Sequence, residues 1–147
     1  MDKSINMGRV VFLAVVAAIG GILFGYDTAV ISGTTEIVKN QFQLKTIAEG
    51  WYVGCALIGS ILGVMVAGMM SDNYGRKRTM LSSALLFSVS AIGCAVCKDF
   101  NQLVFFRIIG GFGIGIVSIV SPIYISEIAP AQKRGTLVSL YQLAITI

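Results

Sequence analysis

Four long apolar runs follow one another along the chain, separated by short clusters of polar residues. Val10 to Ile31 is apolar apart from Asp27, and at 1.5 Å per helical residue it crosses the roughly 30 Å hydrocarbon core of a bilayer. A second run covers about Trp51 to Met70 and a third Met80 to Val96. The fourth, Leu103 to about Ile128, contains Arg107, Pro122 and Glu127. Thr136 to Ile147 begins a fifth run that is too short to cross, so the chain is expected to end inside a helix. The pattern predicts an all-α integral membrane protein with four transmembrane helices plus the start of a fifth. A cleaved leader is a poor reading of the first run, which is too long and lacks a convincing small-residue cleavage site.

Composition sharpens this reading. Only 12% of the 147 residues are charged and 56% are hydrophobic, against roughly 25% charged in a soluble domain. With no histidine, imidazole metal sites, Ser-His-Asp and Cys-His nucleophiles and histidine relays are all removed. The net charge of +4 comes from short clusters, not from a continuous basic face, which excludes a nucleic-acid module. Cys94 and Cys97 form a CxxC without a second pair, so neither zinc nor thioredoxin-like chemistry is favoured. Gly110 to Gly115 has dinucleotide-like spacing but no preceding strand. No nucleophile, paired carboxylate or metal cluster points to an enzyme, and no cofactor is implied.

The basic residues set a topology. Lys3 and Arg9, Arg76 to Arg78, and Lys133 and Arg134 all fall on one side. The opposite side holds Lys39, Lys45 and Lys98, each near an acid. The positive side is cytoplasmic, which places the N-terminus there. Glycines recur as GxxxG pairs (Gly21 and Gly25, Gly59 and Gly63, Gly111 and Gly115), the spacing that lets helix backbones approach. Gly20, Gly21 and Gly25 also match Gly110, Gly111 and Gly115 at a fixed offset of 90 positions, in helices that run oppositely, as in inverted repeats. Pro122 is expected to kink its helix, with Ser118 and Ser121 satisfying the freed carbonyls.

Asp27 and Arg107 carry charge inside apolar runs, where each costs at least ~2.5 kcal/mol unpaired. Asp27 lies about 27 Å above Arg9, and Arg107 roughly 6 Å below the outer surface. Both depths fall in the outer part of the membrane, and an ion pair is geometrically allowed. A pair that opens and closes loads and releases a proton, because a nearby arginine favours the charged carboxylate and desolvation favours the protonated one. The other reading is a static pair, or an arginine that snorkels to the interface.

Three stretches resemble the sugar porter family of the major facilitator superfamily: GGILFGYDTAVISG from Gly20 to Gly33; Asp72-Asn73-Tyr74-Gly75-Arg76-Lys77-Arg78; and the run from Arg107 through Pro122, Tyr124, Glu127 and Arg134-Gly135 to Gln142. The match covers essentially the whole chain and is most like the bacterial D-xylose/proton symporters. The resemblance implies that Asp27 and Arg107 couple proton movement. It implies that Phe24 and Gln142 contact sugar, by ring packing and by hydrogen bonds to hydroxyls. It makes Asp72, Arg76, Glu127 and Arg134 a cytoplasmic charge network that clasps two halves. Family members have twelve spans, so the chain is expected to be a partial N-terminal six-helix domain that lacks the rest of the transporter, including its C-terminal half. The parent is expected in the plasma membrane, a bacterial inner membrane, with a monosaccharide and a proton as partners, and this fragment is expected to be inactive alone. Two alternatives stay open: a facilitative sugar uniporter, and a small four-span membrane protein that acts as an interaction subunit.

Overall fold

The computed structural model describes the backbone of residues 7–130 and 132–146, with the side chains of 7, 9–11, 13, 14, 17 and 18 outside the description. The described residues are helical, without strands: α1 (Met7–Phe42), α2 (Thr46–Tyr74), α3 (Arg76–Val96), α4 (Phe100–Ile128) and α5 (Arg134–Thr146). Helices α2, α3 and α4 are each long and apolar enough to cross a membrane. The first expected span lies on α1, and the fifth run forms α5. Lys3 and the Arg9 side chain, two of the expected positive-side charges, lie outside the described residues.

α1 runs eleven residues past the predicted end at Ile31. The apolar run stops there, but helical hydrogen bonding needs no apolar side chain, and Glu36, Lys39 and Gln41 are good helix formers. Thr28, Thr34 and Thr35 hydroxyls donate to carbonyls four residues back, which removes their competition with the ladder. The helix ends where Gln43 takes a positive φ of 48° and the Leu44 N–H donates to the Lys39 carbonyl. The Lys39 Nζ then reaches Glu49 Oε2 at 2.8 Å on α2.

Burial is inverted relative to a water-soluble bundle. Leu57, Ile61, Met65 and Met69 form an exposed stripe on α2, and Leu81, Leu85, Val89, Ile92 and Val96 cover the outside of α3. The inside holds Ser71, Thr79, Ser83, Ser90 and Ser121 alongside Ile116, Val120 and Ile125. Apolar outside and small or polar inside is the arrangement lipid selects, because tails are as apolar as leucine and tight approach becomes the driving force.

Glycines make that approach possible. A Cβ on Gly59 or Gly63 would strike the Ile108 or Phe112 carbonyl of α4, and one on Gly111 or Gly115 the Ala56 or Ser60 carbonyl of α2. Gly21 and Gly25 lie in the same way against the Tyr141 and Ile145 carbonyls of α5. Two of the three glycine pairs offset by 90 positions, Gly21 with Gly111 and Gly25 with Gly115, thus make equivalent contacts, so that α4 lies on α2 as α1 lies on α5. Gly20 instead meets Val117 of α4, and Gly110 meets Ser90 of α3.

Between α2 and α3 stands the single residue Gly75, with φ 81° and ψ 150°, a region open to glycine and closed to other residues. The buried Thr79 hydroxyl binds this corner, in contact with the Gly75 carbonyl at 3.0 Å and the Met70 carbonyl at 3.1 Å. α4 continues through Pro122. The expected serine compensation is not found: Ser118 Oγ donates to the Gly115 carbonyl, and buried Ser121 Oγ has no partner among the described residues.

Candidate functional site

α1 and α4 bring Asp27 and Arg107 together. Arg107 Nη2 lies 3.8 Å from Asp27 Oδ2, with the arginine side chain 8% exposed and the aspartate 24%. The distance makes a loose ion pair, beyond the 2.7–2.9 Å of a charge-assisted hydrogen bond. The pair lines a cavity of about 230 Å³, with Tyr26 and Val30 of α1, Ser90 and Cys94 of α3, and Gly110 of α4 on its walls. Ser90 Oγ donates to the Phe106 carbonyl at 2.6 Å and leaves no room for a side chain at Gly110.

Sequence reading missed two residues here. Tyr52 of α2, 3% exposed, places its ring 4.7 Å from the Arg107 guanidinium carbon. Its hydroxyl accepts from Arg107 Nη1 at 3.4 Å and contacts Thr34 Oγ1 of α1 at 3.1 Å. A tyrosine one turn into a span resembles an interfacial anchor, so the sequence offers no signal of this contact.

At the opposite end of the bundle, Arg76 collects two carboxylates. Its Nη1 donates to Asp72 Oδ1 at 2.8 Å and to the Ser71 carbonyl at 3.0 Å, while Nε donates to Glu127 Oε1 at 3.1 Å. Three of the four residues expected in a charge network therefore meet. Arg134, the fourth, stands exposed at the start of α5 and makes no ion pair among the described residues.

The two expected sugar contacts stay apart. Phe24 lines an apolar cavity of about 450 Å³ between α1, α3 and α4, with Leu23, Phe87 and Tyr124. Gln142 is exposed on α5, its side-chain amide free of partners within the described residues.

The pattern of the family described as sugar (and other) transporter matches residues 13–147. An arabinose-proton symporter of Bacillus subtilis (strain 168) is 45% identical over 143 residues, which are 97% of this chain and 31% of that protein. A D-xylose-proton symporter of Escherichia coli (strain K12) is 37% identical, over 99% of this chain and 35% of its own length. Among solved structures, the inward open xylose transporter XylE from E. coli has a TM-score of 0.86 at 39% identity, covering 92% of this chain and 36% of that one. The proton:xylose symporter XylE bound to 6-bromo-6-deoxy-D-glucose has a TM-score of 0.87 at 37% identity, covering 95% and 35%. The chain spans about a third of the length of these relatives.

Proposed function

The chain belongs to the family of sugar (and other) transporters, with the fold of the N-terminal portion of a major facilitator superfamily protein, and from that premise we propose that the protein it represents is a proton-coupled monosaccharide symporter. The carrying observation is the Asp27–Arg107 pair, two opposite charges held 3.8 Å apart inside apolar helices. An intramembrane charge is expensive and is retained where it does work. With Arg107 close, Asp27 is favoured as the carboxylate; when the helices part, a desolvated carboxylate takes a proton. Binding and release of that proton accompany alternating access, in which two halves rock about a site near the bilayer midplane.

In this reading the chain is part of an N-terminal six-helix domain of a twelve-helix transporter, and by itself does not transport. Phe24 packs against the sugar ring and Gln142 hydrogen-bonds its hydroxyls, with most polar contacts coming from the C-terminal half. Asp72, Arg76 and Glu127 fasten the cytoplasmic end, where Arg134 joins them across the moving interface. The protein sits in a bacterial inner membrane with its N-terminus in the cytoplasm. That relatives are named for arabinose and xylose transport with protons supports this substrate class.

The test is sugar-dependent alkalinisation of a weakly buffered suspension of cells that carry the full-length protein, with xylose, arabinose, galactose and glucose as probes. Symport through Asp27 gives a proton signal in the wild type that Asp27→Asn abolishes. Sugar entry without a proton signal in either form makes the protein a facilitative uniporter and the pair structural.

A further inference from the structure

Resting on the symport reading, we propose that Tyr52 is a positioning residue that holds Arg107 at one remove from Asp27 and so sets the pH at which the carboxylate takes its proton. The hydrogens around it can be assigned from the contacts. Thr34 has a single hydroxyl hydrogen, directed to the Val30 carbonyl at 2.7 Å. Its oxygen is therefore the acceptor in the 3.1 Å contact with Tyr52, and the tyrosine is the donor. The phenol oxygen keeps its lone pairs for Arg107 Nη1 at 3.4 Å. A one-way chain results: Arg107 to Tyr52, Tyr52 to Thr34, Thr34 to the Val30 carbonyl.

The guanidinium is shared between two attractions. Nη1 goes to the phenol, and the cation lies over the electron-rich ring face at 4.7 Å. Nη2 faces Asp27 from 3.8 Å, and Nε is buried without a partner among the described residues. The other titratable groups around the pair are the Tyr26 phenol of α1 and the thiols of Cys55 on α2 and Cys94 on α3. Tyr26 is exposed and shares the cavity wall but makes no hydrogen bond to Arg107 among the described residues, and sulfur is too weak an acceptor to compete with a carboxylate. Tyr52 is thus the group that holds the arginine back from a hydrogen-bonded ion pair. A looser pair protonates more readily, and when Asp27 does become neutral the aromatic face still supports the cation.

Phenylalanine at position 52 keeps the ring and removes the oxygen. Arg107 then turns to its other strong acceptor, the pair tightens, and Asp27 holds its charge to lower pH. In the full-length protein, accumulation of whichever of xylose, arabinose, galactose and glucose the wild type takes up is measured against external pH. Tyr52→Phe is expected to move the midpoint to the acid side by about one unit. Thr34→Val leaves the tyrosine in place, removes the oxygen it donates to, and is expected to shift the midpoint the same way by less. Sugar exchange at equal concentrations, which needs no net proton movement, reports folded protein in each variant. Wild-type midpoints in both variants overturn the proposal. Where Tyr52→Phe shows no exchange, Thr34→Val decides alone, a shift supporting the proposal and a wild-type midpoint overturning it. Accumulation that persists in Asp27→Asn overturns the symport reading itself, a separate result.

Discussion

Arg76 and Glu127, fifty-one positions apart, meet with Nη2 and Oε1 separated by 3.1 Å and fasten the first turn of α3 to the last turn of α4. Both side chains are partly exposed, so the contact adds little to folding. In the proposed transport cycle its use is to choose between conformations. Glu127→Gln in the full-length protein is expected to leave the thermal midpoint within about 2 °C of wild type and to slow sugar uptake roughly tenfold. Wild-type uptake in this variant removes the pair from the transport cycle.

Gly75 is the whole connection between α2 and α3, at φ 81°. Gly75→Ala forces a side chain into that region at a cost of about 1–3 kcal/mol. The exposed neighbour change Asn73→Ala is expected to cost under about 0.5 kcal/mol. Thermal unfolding of the detergent-solubilised full-length protein compares the two, and equal midpoints contradict the strained corner.

Thr79 bonds the same corner from below, fully buried. Thr79→Val keeps the shape and leaves the Met70 and Gly75 carbonyls without that partner, for a loss of about 1–2 kcal/mol by the same unfolding measurement. Thr79→Ser, which retains the hydroxyl, is expected to recover most of it.

The two sides of α2 separate packing from propensity. Gly63 faces the Phe112 carbonyl, whereas a Cβ on Gly68 meets open space. Gly63→Ala is expected to destabilise by about 1–3 kcal/mol, and Gly68→Ala to stabilise by up to about 1 kcal/mol through helix propensity. Equal effects at both sites exclude a glycine seam between α2 and α4.

Topology is open to cysteine chemistry. Cys55 is fully buried, while Cys94 and Cys97 are half-buried near the end of α3. In a Cys55→Ser, Cys94→Ser background, a membrane-impermeant maleimide is expected to label Cys97 in intact cells. With Cys97→Ser and Asn73→Cys added, labelling is expected only in inverted vesicles. The opposite pattern reverses the proposed orientation.

Three of the four expected spans, those on α2, α3 and α4, were legible because a lipid-facing helix must be apolar over a length the bilayer dictates. The meeting of Asp27 and Arg107 was legible for a related reason: a charge's depth in a membrane follows from counting residues at 1.5 Å each. The end of α1 was not, since its polar last turns carry no apolar signal and are ended by a backbone turn at Gln43. Tyr52 and Thr34 were hidden because their contacts depend on which faces of α1, α2 and α4 meet. Arg134 matches the resemblance in sequence yet stands apart from Arg76, for a motif records residue types and not the conformation in which they meet.

Two of the helix contacts are made backbone to backbone at glycines, α1 on α5 and α2 on α4, whereas α1 meets α4 through side chains such as Val117. Side chains repack cheaply when helices slide, and carbonyls seated on glycine Cα atoms do not. The chain therefore has two glycine-seated helix pairs, α1 with α5 and α2 with α4, and a side-chain interface where α1 meets α4. Asp27 belongs to one of these pairs and Arg107 to the other, so their 3.8 Å ion pair bridges the interface that side chains make and no glycine seam holds.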